Sequence, residues 1–369
     1  MESPRANDAP QPRLPQELLF LIIESLAPSN PDAILPSSHE NTKCLLALTR
    51  VCRSVSQLAS KLLWRSCPHI TSLNQAQAFA AALECLSPDD PRRPTSLFLG
   101  LCRGDEAAPT ANWPWPRHFN EPAPHPGYVS SSDMLDLGFS GSVIGNLVQG
   151  ILLSLAPTLR RLIINMPLAA VSSAHDGDSL MRLLRPGFEA LVNLEEFTSV
   201  GDSFSFRSGS PEVWATCWPK LRRLSLGSPV MNFKLMASHP NLETVVISRH
   251  SSFHLLMTGN VKSYLARALN TQRSNSTPDS QAKVPFTLVF VDAFGSSWTD
   301  LRPNNVARVL LMDVGNRFAD TFSHFNELDK DRKKVLIPRR WIQQHALRGT
   351  LWETASAGYD ERSDFSLLG

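Results

Sequence analysis

The stretch Ala156-Pro157-Thr158-Leu159-Arg160-Arg161-Leu162-Ile163-Ile164 decides the fold, because its pattern returns further along the chain. An apolar residue stands at the first, fourth and sixth positions of Leu159-x-x-Leu162-x-Ile164. The same spacing recurs in Leu221-x-x-Leu224-x-Leu226 and Leu242-x-x-Val245-x-Ile247. Leu194-x-x-Phe197-x-Ser199 is a weaker copy, and Val306-x-x-Val309-x-Leu311 is a further one. A turn-like approach introduces each of the first four: Ala156-Pro157-Thr158, Leu191-Val192-Asn193, Trp218-Pro219-Lys220 and His239-Pro240-Asn241. Apolar residues two apart after a turn suit a short strand with one face buried.

Helical stretches lie between the copies. Val143, Ile144, Leu147, Val148, Ile151, Leu152 and Leu155 mark one, Leu180 to Leu191 a second, and Phe253 to Leu269 a third. A strand too short to stand alone, followed by a helix with one apolar face, buries both by stacking on the next such unit, and the strands then form a parallel sheet. The expected class is therefore α/β. The intervals between the first four copies are unequal and shorten along the chain, so an ordinary α/β domain stays open beside a repeat array. Leu73 to Leu86, capped by Asn74, reads as a further helix, and Thr95 to Cys102 as a first rung. Phe286 to Asp292 and Val306 to Asp313 read as the last strands. Arg340 to Ala355 reads as a closing helix whose Trp341, Ile342, His345, Leu351 and Trp352 cap the final repeat.

The N-terminal region is different. Pro15 fixes φ and needs no donor, Glu17 complements the helix dipole, and Leu18, Leu19, Ile22, Ile23 and Leu26 recur at helical spacing. Leu45, Leu48, Val51, Cys52, Val55, Leu58, Ala59, Leu62 and Leu63 form a second apolar stripe. Two helices this short do not stand alone in water, so some apolar surface is expected to remain for another protein. The stretch Ala27 to Lys43, rich in Pro, Ser and Asn, separates the halves and reads as a tethering loop whose deletion from Pro31 to Glu40 is tolerated.

The order Leu14-Pro15-x-Glu17-Leu18, then Thr49-Arg50-Val51-Cys52-Arg53-Ser54-Val55, then Lys61-Leu62-Leu63-Trp64-Arg65 resembles the F-box motif, and its ending resembles fungal F-box proteins. The resemblance covers about Pro12 to Arg65, departing from the compact motif in the insertion at 27–43. Leu155 to Ile247 resembles the degenerate leucine-rich repeats that follow many F-boxes, although most copies lack the Asn or Cys ladder position. The implied plan has three parts: a helical F-box-like module at 12–66, then a helix, a first strand and a Pro-rich loop at 67–132, and an irregular leucine-rich-repeat-like solenoid at 133–357. The implied function is that of a substrate adaptor. The module binds the Skp-type subunit of a cullin-RING ubiquitin ligase through Leu14, Pro15, Leu18, Leu19, Ile22, Val51, Cys52 and Val55, and the repeats bind a target protein. The other class of reading is a repeat scaffold whose N-terminal hairpin is only a cap and which joins no ligase.

Composition narrows the remainder. Hydrophobic residues make up 42% and charged residues 19% of 369, which describes a globular chain. With 36 Lys and Arg against 34 Asp and Glu, no global field draws in nucleic acid or an acidic membrane. No apolar run reaches the roughly eighteen residues of a membrane span, and the first residues lack a signal core, so a cytoplasmic or nuclear location is expected. The six cysteines include no Cys-x-x-Cys pair, which points to reduced thiols. Residues 104–132 carry Pro109, Pro114, Pro116, Pro122, Pro124 and Pro126 and read as a loop, in which Trp113-Pro114-Trp115-Pro116 is a candidate docking segment.

Catalytic patterns are thin. Gly138, Gly141 and Gly145 lack dinucleotide spacing, His175-Asp176-Gly177-Asp178 lacks further acidic ligands, and His250 and His254 lack an intervening Glu. No catalytic residue, metal or cofactor is assigned, and a non-enzymatic role is expected. Arg161 and Arg223 fall at one position of two copies. The expectation is that stacking sets them on one exposed face, either as solvated strand charges or as a basic patch for an acidic segment of the target.

Overall fold

Leu97, Leu162, Phe197, Leu224, Val245, Leu288 and Val309 fall in one row of strand register, each paired across to the next. The first six of these side chains are wholly buried. They belong to the computed structural model of the chain, which describes residues 15–101, 141–166, 177–200, 213–227, 235–236, 239–248, 287–292, 308–313 and 330–356. The strands are β1 (His69–Ile70), β2 (Ser96–Leu99), β3 (Arg161–Ile164), β4 (Glu196–Ser199), β5 (Arg223–Gly227), β6 (Thr244–Ser248), β7 (Thr287–Asp292) and β8 (Arg308–Asp313). They form an eight-stranded sheet in the order β1 to β8, every neighbouring pair parallel.

The helices are α1 (Gln16–Glu24), α2 (Glu40–Leu48), α3 (Arg53–Ser66), α4 (Leu73–Glu84), α5 (Gly141–Leu155), α6 (Gly177–Glu189), α7 (Val213–Thr216), α8 (Lys330–Leu347) and α9 (Leu351–Ser356). Because every strand pairs with its successor, the connecting helices gather on one face. Ala76 and Leu83 of α4, Val148, Ile151, Leu152 and Leu155 of α5, Leu184 and Phe188 of α6 and Trp214 of α7 share one core with Leu162, Leu224 and Val245. Gly187 lets α6 lie close on α5: a Cβ there would stand 3.3 Å from the Gln149 backbone.

Polar side chains just before β3, β4, β5 and β6 fasten one copy to the preceding one. Thr158 Oγ1 donates to the Pro94 carbonyl at 3.2 Å, Asn193 Nδ2 to that of Pro157 at 3.1 Å, Lys220 Nζ to Asn193 Oδ1 at 2.7 Å, and Asn241 Nδ2 to the Pro219 carbonyl at 2.7 Å. The turn-like approaches are thus bonded into a row along the strand entrances, which satisfies backbone acceptors that the sheet leaves free.

The opposite face of the sheet corrects two expectations. The closing helix is not an end cap. It is two helices, α8 and α9, broken at Gly349 with φ 71°, and they lie over the sheet. Ile337, Trp341, Ile342, Ala346, Leu351, Trp352 and Ala355 form a second core there with Ile163, Val246, Val289 and Val291. A parallel sheet buries both faces, and the β-branched residues that alternate with the leucine row need this cover. Nor is 27–43 a mere tether. Ala33 and Ile34 are buried, Ile34 joins the core under α8, and residues 40–43 already belong to α2. The Ile34 amide donates to the Leu347 carbonyl and the Leu35 amide to that of Ser66, both at 2.7 Å, while Asn30 Nδ2 donates to the Arg348 carbonyl at 3.0 Å. Gly349 is required at this crossing, since a Cβ would meet Asn30 and Asp32 at 2.8 Å.

Two smaller differences concern the helices. The second N-terminal stripe is divided between α2 and α3, and Ser72 rather than Asn74 caps α4, accepting from the Gln75 amide. The Pro-rich stretch 104–132 with its Trp-Pro repeat, the helix expected over Phe253 to Leu269, and His250 and His254 lie outside the described residues.

Candidate docking surface

α1, α2 and α3 close on a small core of Ile23, Leu45, Val55, Ala59 and Leu62, with Leu19, Phe20, Leu48 and Leu58 partly buried against it. Pro15 stands at the N-cap of α1, one residue before the first helical position that its fixed φ suggests, and Glu17 lies in the first turn. His39 caps α2 by accepting from the Asn41 amide at 3.1 Å. α1 is apolar around most of its circumference, and that core uses only part of it. Leu18, Leu21 and Ile22 remain 47%, 60% and 53% exposed, and Leu46 of α2 and Val51 before α3 are 50% and 65% exposed. Exposed Leu, Ile and Val on α1, on α2 and in the turn between α2 and α3 mark an interaction surface, whereas single apolar residues on a surface do not.

The residues assigned to partner binding divide accordingly. Pro15, Leu18, Ile22, Val51 and Cys52 face outward. Val55 does not: it is 1% exposed and sits in the core of the three helices. Leu19 is mainly an inward residue, partly buried against that core. Leu14 lies outside the described residues. Leu21 and Leu46 were missed, although the sequence carries a signal for them. The six-residue apolar run Leu18-Leu19-Phe20-Leu21-Ile22-Ile23 exceeds what one buried face of a short helix needs. At the edge of this surface, the Ser54 hydroxyl and the Val55 amide hold the Cys52 thiol below the ordinary cysteine value. Arg50 and Arg53 flank it, exposed.

Arg161 and Arg223 do share a column, but Glu196 stands between them in register. Arg161 Nε lies 3.2 Å from Glu196 Oε2 and Arg223 Nη1 lies 2.5 Å from Oε1. Trp352 Nε1 donates to the same carboxylate at 2.8 Å. Arg161 also donates to the backbone carbonyls of Asp32 and Ala346. It is only 5% exposed, and burial pulls its guanidinium below the ordinary arginine value while Glu196 opposes that. The expected exposed basic patch is therefore corrected: α8, α9 and the segment carrying Asp32 cover Arg161, and its charge is spent within the fold. One residue earlier in each strand a second row repeats the arrangement near the surface. Arg160 lies 3.8 Å from Glu195, and Arg222 lies 2.7 Å from Glu243. Successive copies read Arg-Arg, Glu-Glu, Arg-Arg and Glu-Thr, so charge alternates through all four copies in the outer row and through the first three in the inner row, which ends on the uncharged Thr244.

Among the described residues no group of His, Cys, Asp and Glu is placed to hold a metal ion, and no helix is long and apolar enough to cross a membrane. No protein family, no curated protein and no solved structure matches this chain.

Proposed function

We propose that the chain is a non-enzymatic substrate adaptor of a cullin-RING ubiquitin ligase. In this reading α1 to α3 form an F-box-like module that holds the Skp-type subunit, and the sheet with its helices is a leucine-rich-repeat-like solenoid that holds a target protein. The observation that carries the reading is the exposed apolar surface of Leu18, Leu21, Ile22, Leu46 and Val51 on a module whose own core is already closed. The unbroken sequential order of parallel strands supports the repeat half.

Burying a leucine or valine side chain contributes about 1.5 to 3 kcal/mol, and an aspartate there forfeits that gain and adds a desolvation cost. In co-expression with the Skp-type subunit, Leu18→Asp combined with Val51→Asp therefore lowers recovery of the complex at least about a hundredfold while the melting temperature of the free chain holds, since both sites are exposed. Unchanged co-purification of the double variant refutes the reading. Removing residues 1–66 is not a clean test, because Ile34 and Asp32 belong to the covered face of the sheet.

A second reading draws on that same packing: α1 to α3 as an integral part of the repeat domain of a scaffold that joins no ligase. It predicts that the Skp-type subunit is not bound at all.

A further inference from the structure

Arg161 and Arg223 share the carboxylate of Glu196 and Arg222 pairs with Glu243, so a guanidinium with no carboxylate partner has to be sought elsewhere. Arg340 of α8 supplies it. The residue is half-buried: its Nε is sealed from solvent with no hydrogen-bond partner, its two Nη atoms are not sealed and remain for an incoming group, and no carboxylate lies beside it among the described residues. Burial alone pulls its guanidinium below the ordinary value, with no anion opposing the shift. A desolvated guanidinium with no counter-ion is costly, and pairing with an anion removes that cost. Gln343 and Gln344 follow at the third and fourth positions, which places them beside Arg340 on one face of the helix. Both are half-buried, and neither side-chain amide is bonded among the described residues.

We propose that the Arg340, Gln343 and Gln344 face of α8 docks an extended acidic segment of the target protein, one carboxylate pairing with Arg340 and the two amides bonding the segment's backbone. The proposal rests on the adaptor reading for the identity of the bound protein as a target. A guanidinium offers a planar fork that matches a carboxylate, and a side-chain amide both donates and accepts, as a peptide group does. Four residues of helix rise about 6 Å. Two residues of an extended chain rise about 6.6 Å. The row therefore suits a length of peptide better than a single ion.

The test uses the full chain and a fluorescein-labelled twelve-residue peptide of alternating Glu and Ser, read by anisotropy, with alternating Gln and Ser as control. The Glu-Ser peptide binds and the Gln-Ser peptide does not. Arg340→Gln weakens binding about tenfold or more, and Gln344→Ala weakens it severalfold. Arg222→Gln, at an exposed arginine that already has a carboxylate partner, changes it less than about twofold. The melting temperature of the Arg340→Gln variant equals or exceeds that of the parent, because an unpaired buried charge is removed. Failure of the parent chain to bind the Glu-Ser peptide overturns the proposal. So does an equal loss with Arg222→Gln, full displacement by inorganic phosphate, or a lowered melting temperature for Arg340→Gln. Co-purification with the Skp-type subunit is scored on the same samples. Lost peptide binding with that complex intact overturns this inference alone, and the converse result overturns the adaptor reading alone.

Discussion

Leu224 and Arg222 stand two positions apart at the start of one strand and answer differently to truncation. Leu224 is wholly buried between its counterparts Phe197 and Val245, so Leu224→Ala forfeits transfer free energy and leaves a cavity, costing about 2 to 5 kcal/mol. Arg222 is exposed and paired with Glu243, and Arg222→Ala costs under about 1 kcal/mol. Arg161 is the unusual case: Arg161→Ala leaves the Asp32 and Ala346 carbonyls without their donor and strips Glu196 of one partner, for a loss of about 3 to 5 kcal/mol. Denaturant melts of the three variants check the ranking Arg161 and Leu224 well above Arg222. The leucine row was legible because strand periodicity alone places it. The burial of Arg161 was not, since it depends on a cover supplied from residues far away in the chain. The alternation of Arg-Arg with Glu-Glu between copies was the available clue that these arginines are spent on each other's neighbours.

Among the elements, α8, α9 and the segment around Ile34 act as one cover, and His345 gives that cover a dependence on pH. Its Nδ1 lies 2.9 Å from the Thr350 hydroxyl, and its ring packs 4.5 Å from that of Trp341. Burial first and Arg348 second lower its pKa below the ordinary 6.5, so the folded state holds the neutral ring. The stability this contributes is fully present above about pH 6.5 and is lost as pH falls from there through the folded value. The melting temperature accordingly drops as pH falls below about 6.5, and His345→Gln flattens that drop. The segment 27–43 looked like a loop because Pro, Ser and Asn dominate it. Yet Ala33-Ile34-Leu35 is an apolar triplet inside it, and that triplet is what enters the fold. Deleting Pro31 to Glu40 removes it together with His39, the cap of α2, and the first residue of that helix, and the chain is expected to lose soluble expression. Recovery of a normally melting deletion variant contradicts that packing.

For the molecule as a whole, the same crossing ties α1 to α3, the sheet and the C-terminal helices together. Circular dichroism and tryptophan fluorescence therefore report one coincident thermal transition. Ile34→Asp, which puts a charge under α8, splits it into two. The class of fold was readable because local periodicity specifies strands and helices. Which layer covers the second face was not, since that depends on contacts between the two ends of the chain. One consequence for how such a sheet changes length follows from the two rows of alternating charge. Excising the single unit that begins at Leu194 would set Arg160 beside Arg222 and Arg161 beside Arg223, like against like. Excising the units that begin at Leu194 and Leu221 together would bring Arg160 to Glu243 and keep opposite signs adjacent in the outer row, but would set Arg161 beside the uncharged Thr244. The outer row has a parity, opposite signs meeting after a change of two units and like signs after a change of one, whereas the inner row ties Arg161 to the unit that carries Glu196.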